Sequence, residues 1–309
     1  MSSPDSHRHR PVVLCAGIAV EDFLFKVERF PEPGAKVRAQ ALAATTGGCA
    51  ANAAIAVARL GGVARFAGPI GTDAASRRFL AAFAGTGADT SGITQVEGGS
   101  ISVSGIFIDR DGEKMVATRH GEKLDGVAPR NPEALLTGVD IVMADNRFPD
   151  YVRPICEAAH ARATRVVLDV DKATMPGDPL FAPASHAIFS AEALRTTAGI
   201  ADLAAALNTF AAGFRGFLAV TDGPNDVLWI DGGGALQRMP VPAVTTVDTL
   251  GAGDVFHGGF ALALAEGRGE AEAMRFAAAA AALKCRRFGG IAGAPGRAEV
   301  EALLAHRGT

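Results

Sequence analysis

The 309-residue chain has no surplus of basic residues and few cysteines. Its 30 lysines and arginines stand against 33 aspartates and glutamates, and the cationic residues are scattered along the chain. A nucleic-acid partner is therefore not expected, because such surfaces concentrate positive charge. The four cysteines lie far apart without the spacing of metal ligands, in a chain large enough to fold without disulfides: Cys15, Cys49, Cys156 and Cys285. A reducing, cytoplasmic environment fits this usage best.

Long hydrophobic runs and the common nucleotide-binding motifs are also missing. The alanine-rich stretch 276–283 is too short to cross a bilayer, so neither a membrane span nor an export signal is expected. The polar residues 1–11 are expected to form a disordered N-terminal segment. No Gly-x-Gly-x-x-Gly follows the first apolar run at 12–17, which removes the main support for an NAD-dependent oxidoreductase. The absence of a Gly-Lys-Ser/Thr loop excludes the P-loop class.

Short apolar runs alternate with helical patterns along most of the chain. Strands are expected at 12–17, 63–67, 140–144, 165–170, 187–190, 216–221 and 227–230, and helices at 74–84, 149–161 and 197–212. This alternation predicts an α/β fold with a doubly wound, mostly parallel sheet and helices on both faces. Ligands of such sheets bind at the carboxyl ends of the strands.

Two further stretches, at about 23–46 and 100–119, have β character but stand outside this alternation. The second contains Asp111-Gly112, a pair typical of a hairpin turn. We therefore expect one domain over residues 12–309, with these two insertions forming a small sheet of their own.

The most informative stretch runs from Val247 to Phe260. Three small residues, Gly251, Ala252 and Gly253, precede Asp254 and a helical pattern that ends at Gly267. A helix N-terminus with small side chains can bind an anion through its free backbone N–H groups. A carboxylate beside such a site is repelled unless it accepts a proton, so the pattern indicates phosphoryl transfer with Asp254 as the base.

The run Asp248-Thr-Leu-Gly-Ala-Gly-Asp254 resembles the second signature of the ribokinase (PfkB) family of carbohydrate kinases. The resemblance implies that the amides of Gly251, Ala252 and Gly253 form an anion hole, that Asp254 is the catalytic base and that Asp248 helps to hold a monovalent cation. It also implies a ribokinase-like fold, a β-sheet lid over the sugar that often forms a dimer surface, and ATP and Mg²⁺ as cofactors. K⁺ is a further candidate, and a homodimer through the lid is expected.

The sugar side rests on a second resemblance. Gly47-Gly-Cys-Ala-Ala-Asn52, which opens a predicted helix, resembles the first signature of the family, and this implies that Gly48 and Asn52 contact sugar hydroxyls. Asp22, which follows the first strand, matches a sugar-binding aspartate. Glycine lets a ring approach the backbone, and an amide supplies both a donor and an acceptor to a diol.

On the nucleotide side the chain departs from the family pattern. Ser190 stands where relatives often have asparagine, and Glu192, matched to a residue that organises Mg²⁺, is displaced by one position. Thr221 and Gly223 match the start of a nucleotide-binding motif. Lys284 opens a stretch that the resemblance assigns to the cation site and the adenine pocket.

Three cations bear on the substrate. Lys36 lies in the first β insertion, Arg119 closes the second, and Arg147 follows a strand. An anionic substrate would use such groups, and Lys36 and Arg147 match the sulfonate-binding residues of the sulfofructose kinase branch.

The expected function is transfer of the γ-phosphate of ATP to a primary hydroxyl of a sugar, with an anionic ketose such as 6-deoxy-6-sulfofructose as one candidate. A kinase for fructose, ribose or 2-keto-3-deoxygluconate, a kinase for a nucleoside or vitamin, and a sugar- or nucleotide-responsive binding module are the alternatives left open.

Overall fold

The computed structural model describes residues 10–306, so the predicted N-terminal segment lies outside the described residues except for its last two. The strands are β1 (Val12–Ala16), β2 (Val20–Lys26), β3 (Ala41–Gly47), β4 (Val63–Ala67), β5 (Pro69–Gly71), β6 (Thr94–Val96), β7 (Ser102–Ile108), β8 (Lys114–Arg119), β9 (Ile141–Asp145), β10 (Arg165–Val170), β11 (His186–Ser190), β12 (Phe217–Thr221), β13 (Val227–Ile230) and β14 (Leu236–Met239). The helices are α1 (Cys49–Arg59), α2 (Ala74–Ala84), α3 (Pro132–Leu135), α4 (Pro149–Ala161), α5 (Ala191–Ala198), α6 (Leu203–Ala211), α7 (Ala252–Ala265), α8 (Glu270–Cys285) and α9 (Arg297–Ala305).

Eight strands form the central sheet in the order β14-β13-β12-β11-β10-β9-β1-β4. The six strands from β12 to β4 pair in parallel, whereas β13 and β14 are antiparallel at one edge. The predicted mostly parallel sheet is confirmed. Strand β14 was not predicted, because its alternating Leu236-Gln-Arg-Met239 carries too few apolar residues to stand out.

The segment 197–212, predicted to be largely helical, contains the end of α5, a break and the whole of α6. Helix α5 ends at Ala198, where Gly199 has a φ of 66°, a left-handed conformation that terminates helices. Asp202 then caps a new helix, since its side chain accepts a hydrogen bond from the backbone N–H of Ala205. A stop and a start four residues apart were hidden by the continuous alanine-rich pattern.

Helices cover both faces of the sheet. In β1, Val13 and Cys15 pack on one side with α1, α7 and α8, whereas Leu14 and Ala16 pack on the other with α4, α5 and α6. This alternation follows from the two-residue repeat of a strand. Both faces are buried, which explains the continuous apolar runs. Among the described residues no helix is long and apolar enough to cross a membrane.

A four-stranded sheet in the order β3-β2-β7-β8 lies apart from the central sheet. Its tip, the turn between β7 and β8, contacts the loop that precedes α7, because the hydroxyl of Thr249 donates to the carbonyl of Gly112 at 3.1 Å. The tip of this sheet therefore lies against the loop that leads into α7. We refer to the four strands as the small sheet.

Candidate active site

Asp254 lies in the first turn of α7, near the carboxyl ends of the central strands. Gly251 precedes this helix with a φ of 79°, which a residue with a side chain adopts only at a cost, so the sharp entry into α7 requires glycine. The Oδ2 atom of Asp254 accepts a hydrogen bond from Nδ2 of Asn52 at 2.7 Å. Burial raises the pKa of Asp254 to about 6, although the bond from Asn52 opposes this shift. The carboxyl group is therefore basic enough to accept a proton near neutral pH.

Asn52 comes from the first turn of α1, which begins after Gly48. The φ of Gly48 is 95°, and a Cβ atom there would lie 2.4 Å from the carbonyl oxygen of Ile18. The buried Oδ1 atom of Asn52 has no hydrogen-bond partner within residues 10–306. An unpaired buried acceptor is costly, so a hydroxyl group of a bound molecule would stabilise it.

Asp22, in β2 of the small sheet, is the second carboxyl residue of the site that contains Asn52 and Asp254. It is 6% exposed, and burial raises its pKa to about 7, while a hydrogen bond from Ser104 opposes the shift. The charge of Asp254 also raises this pKa, and the Asp22 carboxylate lies so close to Gly47 that a Cβ atom on Gly47 would be 1.9 Å from its Oδ2 atom. The structure thus brings together Asp22, Gly48, Asn52 and Asp254, four of the predicted site residues.

Sequence reasoning missed Ser104 and Thr118. Both lie in register with Asp22 across β2, β7 and β8, and their hydroxyl oxygens are 3.0 Å apart. Residues in one register row share a face of the sheet, so these hydroxyls lie on the face of Asp22. The two-residue alternation of each strand was the available signal, but the pairing of β2 with β7 could not be derived from it.

Asp169 is a second missed residue. It is buried at the end of β10, and its Oδ2 atom lies 3.5 Å from Nδ1 of His257. Ligand atoms of Cys49, Asp169 and Asp254 lie within 4.8 Å of one another. A second carboxyl group therefore lies beside the predicted base.

The structure places the three predicted substrate-binding cations in three different surroundings. Arg119 is in register with Val103 and so projects from the face of the small sheet opposite Asp22, where it binds Glu122 at 2.8 Å. This corrects its predicted place in the sugar site. Arg147 follows β9 but forms an ion pair with Asp171. Lys36 is exposed in the segment between β2 and β3.

The nucleotide-side residues lie at the carboxyl ends of two neighbouring strands. Ser190 and Thr221 end β11 and β12 and are in register with each other. Gly223 occupies the turn after Thr221 with a φ of 55°, and Glu192 is exposed in the first turn of α5. These four residues therefore lie at or just after the ends of two adjacent strands, and Gly253, the other predicted nucleotide contact, lies in the first turn of α7.

Lys284 opens the stretch predicted to complete the cation site and line the adenine pocket, and the structure places its side chain beside Asp248 of the predicted cation site. Its side chain is fully buried, and its Nζ atom donates to the backbone carbonyl of Asp248 at 2.7 Å. The ammonium group therefore contacts the loop before α7 and is not presented to a nucleotide.

A model for pfkB family carbohydrate kinases matches residues 11–297. The chain belongs to this family. This membership confirms the predicted ATP-dependent sugar kinase, with ATP and Mg²⁺ as cofactors. The family assignment made from residues 248–254 and 47–52 is confirmed as well.

Several of the similar proteins are named as sugar kinases. A protein from Agrobacterium tumefaciens described as a candidate ribokinase is 34% identical, with a TM-score of 0.92 and coverage of 97% of this chain and 99% of that one. The ribokinase of Arabidopsis thaliana, solved with ribose and ATP, is 25% identical, with a TM-score of 0.82 over 96% of this chain and 99% of that one. An ATP-dependent ribose-1-phosphate kinase from Halopiger xanaduensis is 30% identical over 96% of this chain and 98% of its own. The sulfofructose branch stays a prediction.

Proposed function

We propose that this pfkB kinase transfers the γ-phosphate of ATP to a primary hydroxyl of a neutral sugar. The observation that carries the proposal is the 2.7 Å bond between Asn52 and Asp254. It joins the helix that resembles the sugar-binding signature to the residue that resembles the catalytic base. A sugar held by Asn52 would therefore present a hydroxyl directly to Asp254.

The proposed reaction is an in-line displacement. The Oδ atoms of Asp254 accept the proton of the sugar hydroxyl as its oxygen attacks the γ-phosphorus, and the bond from that phosphorus to the β,γ-bridging oxygen breaks to release ADP. The amides of Gly251, Ala252 and Gly253 stabilise the charge on the transferred phosphoryl group. Catalysis of this kind consists mostly of positioning and electrostatic stabilisation.

We assign sugar binding to residues of helix α1 and of the small sheet. The Oδ1 atom of Asn52 accepts from one hydroxyl, which satisfies its buried lone pairs, and Asp22 accepts from another. Ser104 and Thr118 extend the polar row of Asp22 across the small sheet. Because these groups belong to the small sheet, it serves as a lid that closes over the sugar and excludes water.

The nucleotide is proposed to lie along the edge formed by Ser190, Thr221 and Gly223. Mg²⁺, when bound with ATP, would supply positive charge opposite the phosphates, and it prefers oxygen ligands with several retained waters. Glu192, exposed beside Ser190, fits such a water-mediated role.

The charge around the sugar site favours a neutral substrate. Burial lowers the pKa of Arg147, but nearby acidic groups, Asp171 and Asp145 among them, raise it overall, and Asp171 also forms an ion pair with its guanidinium. An anionic group would have to compete with Asp171 and would be repelled by the other carboxylates, whereas sugar hydroxyls can donate to them. The relatives include kinases named for ribose and for ribose 1-phosphate, so their names support either kind of sugar.

A substrate panel tests this proposal. ADP release would be measured with ribose, fructose, adenosine, fructose 6-phosphate and 6-deoxy-6-sulfofructose, and kcat/KM is expected to be at least about tenfold higher for a neutral sugar than for either anionic ketose. Arg147→Ala should change KM for neutral and anionic sugars by the same factor. A selective rise in KM for the anionic ketoses would show instead that Arg147 clamps an anion.

We also propose that the outer face of the small sheet forms a homodimer. Leu42, Phe25, Phe107 and Met115 make one register row across all four strands, with Leu42 63% and Met115 46% exposed. An exposed apolar row of this kind can pair with the same row of a second copy about a two-fold axis.

Light scattering should give a dimer for the native chain and a monomer for Leu42→Glu combined with Met115→Glu. The exposed Met175, changed to Glu, is the control that should remain dimeric.

A further inference from the structure

The loop that leads into the anion hole is held by a buried lysine. The Nζ atom of Lys284, at the end of α8, donates to the backbone carbonyl oxygen of Asp248 at 2.7 Å and lies 3.2 Å from its Oδ1 atom. Both side chains are 0% exposed. The ammonium group of Lys284 is therefore held in contact with the loop segment that precedes Gly251.

Both carboxylate oxygens of Asp248 also accept hydrogen bonds from backbone N–H groups. Its Oδ1 atom accepts from the backbone N–H of Leu250 at 2.8 Å, and its Oδ2 atom accepts from those of Gly289 and Gly290 at 3.0 and 2.8 Å. The backbone N–H groups of Val247 and Asp248 donate to the carbonyl oxygen of Cys285. The ion pair thus joins three segments: the loop before α7, the end of α8 and the turn at 289–290.

These contacts do not fit the monovalent cation that the sequence assigns to Asp248. A cation such as K⁺ would have to coordinate the carbonyl and carboxylate oxygens that Lys284 already contacts. It would also lie beside a buried ammonium group of the same sign, with which it would repel strongly in surroundings of low polarity. A K⁺ ion and the Lys284 ammonium therefore exclude each other at this position.

We propose that the ammonium group of Lys284 replaces a monovalent cation in this kinase and positions the anion hole, so that catalysis is independent of K⁺. The proposal rests on the kinase function above. Lys284 acts through Asp248 and the loop to Gly251, which makes it a positioning residue. Although burial lowers the pKa of Lys284, the Asp248 carboxylate opposes that shift, and the lysine supplies from the chain itself the single positive charge that an exchangeable ion would otherwise provide.

Two variants distinguish a replaced ion from a merely structural lysine. Lys284→Ala removes the charge and leaves space for an ion, whereas Lys284→Met removes the charge and keeps most of the volume filled. Each would be assayed for thermal unfolding without substrate, and for turnover on a sugar that the native enzyme accepts, in KCl, NH₄Cl and tetramethylammonium chloride of equal ionic strength. Lys123→Met, at an exposed lysine after β8, controls for general effects of lysine removal.

The native enzyme should turn over at rates within about twofold in all three salts, because a filled site cannot bind the ion. Lys284→Ala should lose about 10²-fold in turnover in tetramethylammonium, as when a charge-stabilising group is removed, and recover about tenfold in K⁺ or NH₄⁺. Its melting temperature should rise by about 2–4 °C in the same two salts, whereas Lys284→Met should show neither recovery.

Activation of the native enzyme by K⁺ of more than about fivefold would overturn the proposal, as would equal behaviour of the two variants in every salt. If neither variant folds, the native enzyme still tests the proposal. Its turnover and melting temperature in the three salts show whether catalysis depends on K⁺. Failure of the kinase function itself would appear separately, as absence of turnover across the whole substrate panel with a native chain of normal stability.

Discussion

Asp254→Asn is expected to lower kcat by about 10²–10⁴-fold, the usual contribution of a positioned general base. The amide has nearly the same shape and can still accept the hydrogen bond that Asn52 donates at 2.7 Å, but it cannot take a proton from the sugar hydroxyl. The amides of Gly251 to Gly253 are unchanged, so the affinity for ATP should stay nearly intact. Turnover would be measured by ADP release and ATP affinity by calorimetry.

The matched control is Asp125→Asn, which changes an exposed aspartate in a turn and should keep normal turnover. The pH profile gives a second readout. Because burial raises the pKa of Asp254 to about 6, the fraction in the proton-accepting form falls as the pH falls through 6, and the rate should fall with it. Near-normal turnover of Asp254→Asn would remove Asp254 as the base.

Gly258→Ala should damage both stability and catalysis. Gly258 lies in α7 one turn after Asp254, and a Cβ atom there would be 2.6 Å from the carbonyl oxygen of Ala53 in α1. The clash is with backbone, so the two helices must move apart at a cost of about 1–3 kcal/mol in the free energy of unfolding. Since Ala53 adjoins Asn52, this movement would also separate Asn52 from Asp254 and lower kcat, by up to about 10²-fold for a shift near 1 Å.

The neighbouring Gly259→Ala is the matched control. A Cβ atom at Gly259 would lie 3.4 Å from the Cα atom of Ala277, an ordinary contact distance. Alanine is the better helix former, so this change should leave stability unchanged or raise it by up to about 1 kcal/mol. Chemical denaturation and turnover of both variants would be compared. Equal behaviour of Gly258→Ala and Gly259→Ala would contradict the close approach of α1 and α7.

Much of the fold could be predicted because its signals are local. The apolar runs of β1 and β10 show burial on both faces, and the pattern over 149–161 matches the observed α4 at both ends. The sequence pattern did not reveal the break between α5 and α6 at Gly199, because the alanine-rich composition masked it. A single residue with a left-handed backbone ended the helix there, although the surrounding alanines favour continuation.

The candidate site was predictable to the extent that its residues belong to contiguous motifs. Gly251 to Asp254 lie at a helix start, and their order alone specifies a loop, an N-terminus and a carboxylate. Gly48 and Asn52 likewise belong to one short motif, which indicates the start of α1 and an amide side chain in its first turn. The 2.7 Å hydrogen bond from Asn52 to Asp254 joins these two motifs across 202 residues, and the spacing of the residues in the sequence does not predict it.

By itself, the sequence determined the mostly parallel sheet, the helix starts and the identity of the residues at them, because backbone preferences and strand burial depend on near neighbours. Only the tertiary structure decided which charged side chains are free to contact a bound substrate. Arg147 is neutralised by Asp171, Arg119 lies on the face opposite Asp22, and Lys284 contacts Asp248 across 36 residues. The physical reason is that the strength of a charge depends on its burial and its partner, and both are set by segments that meet only when the chain folds.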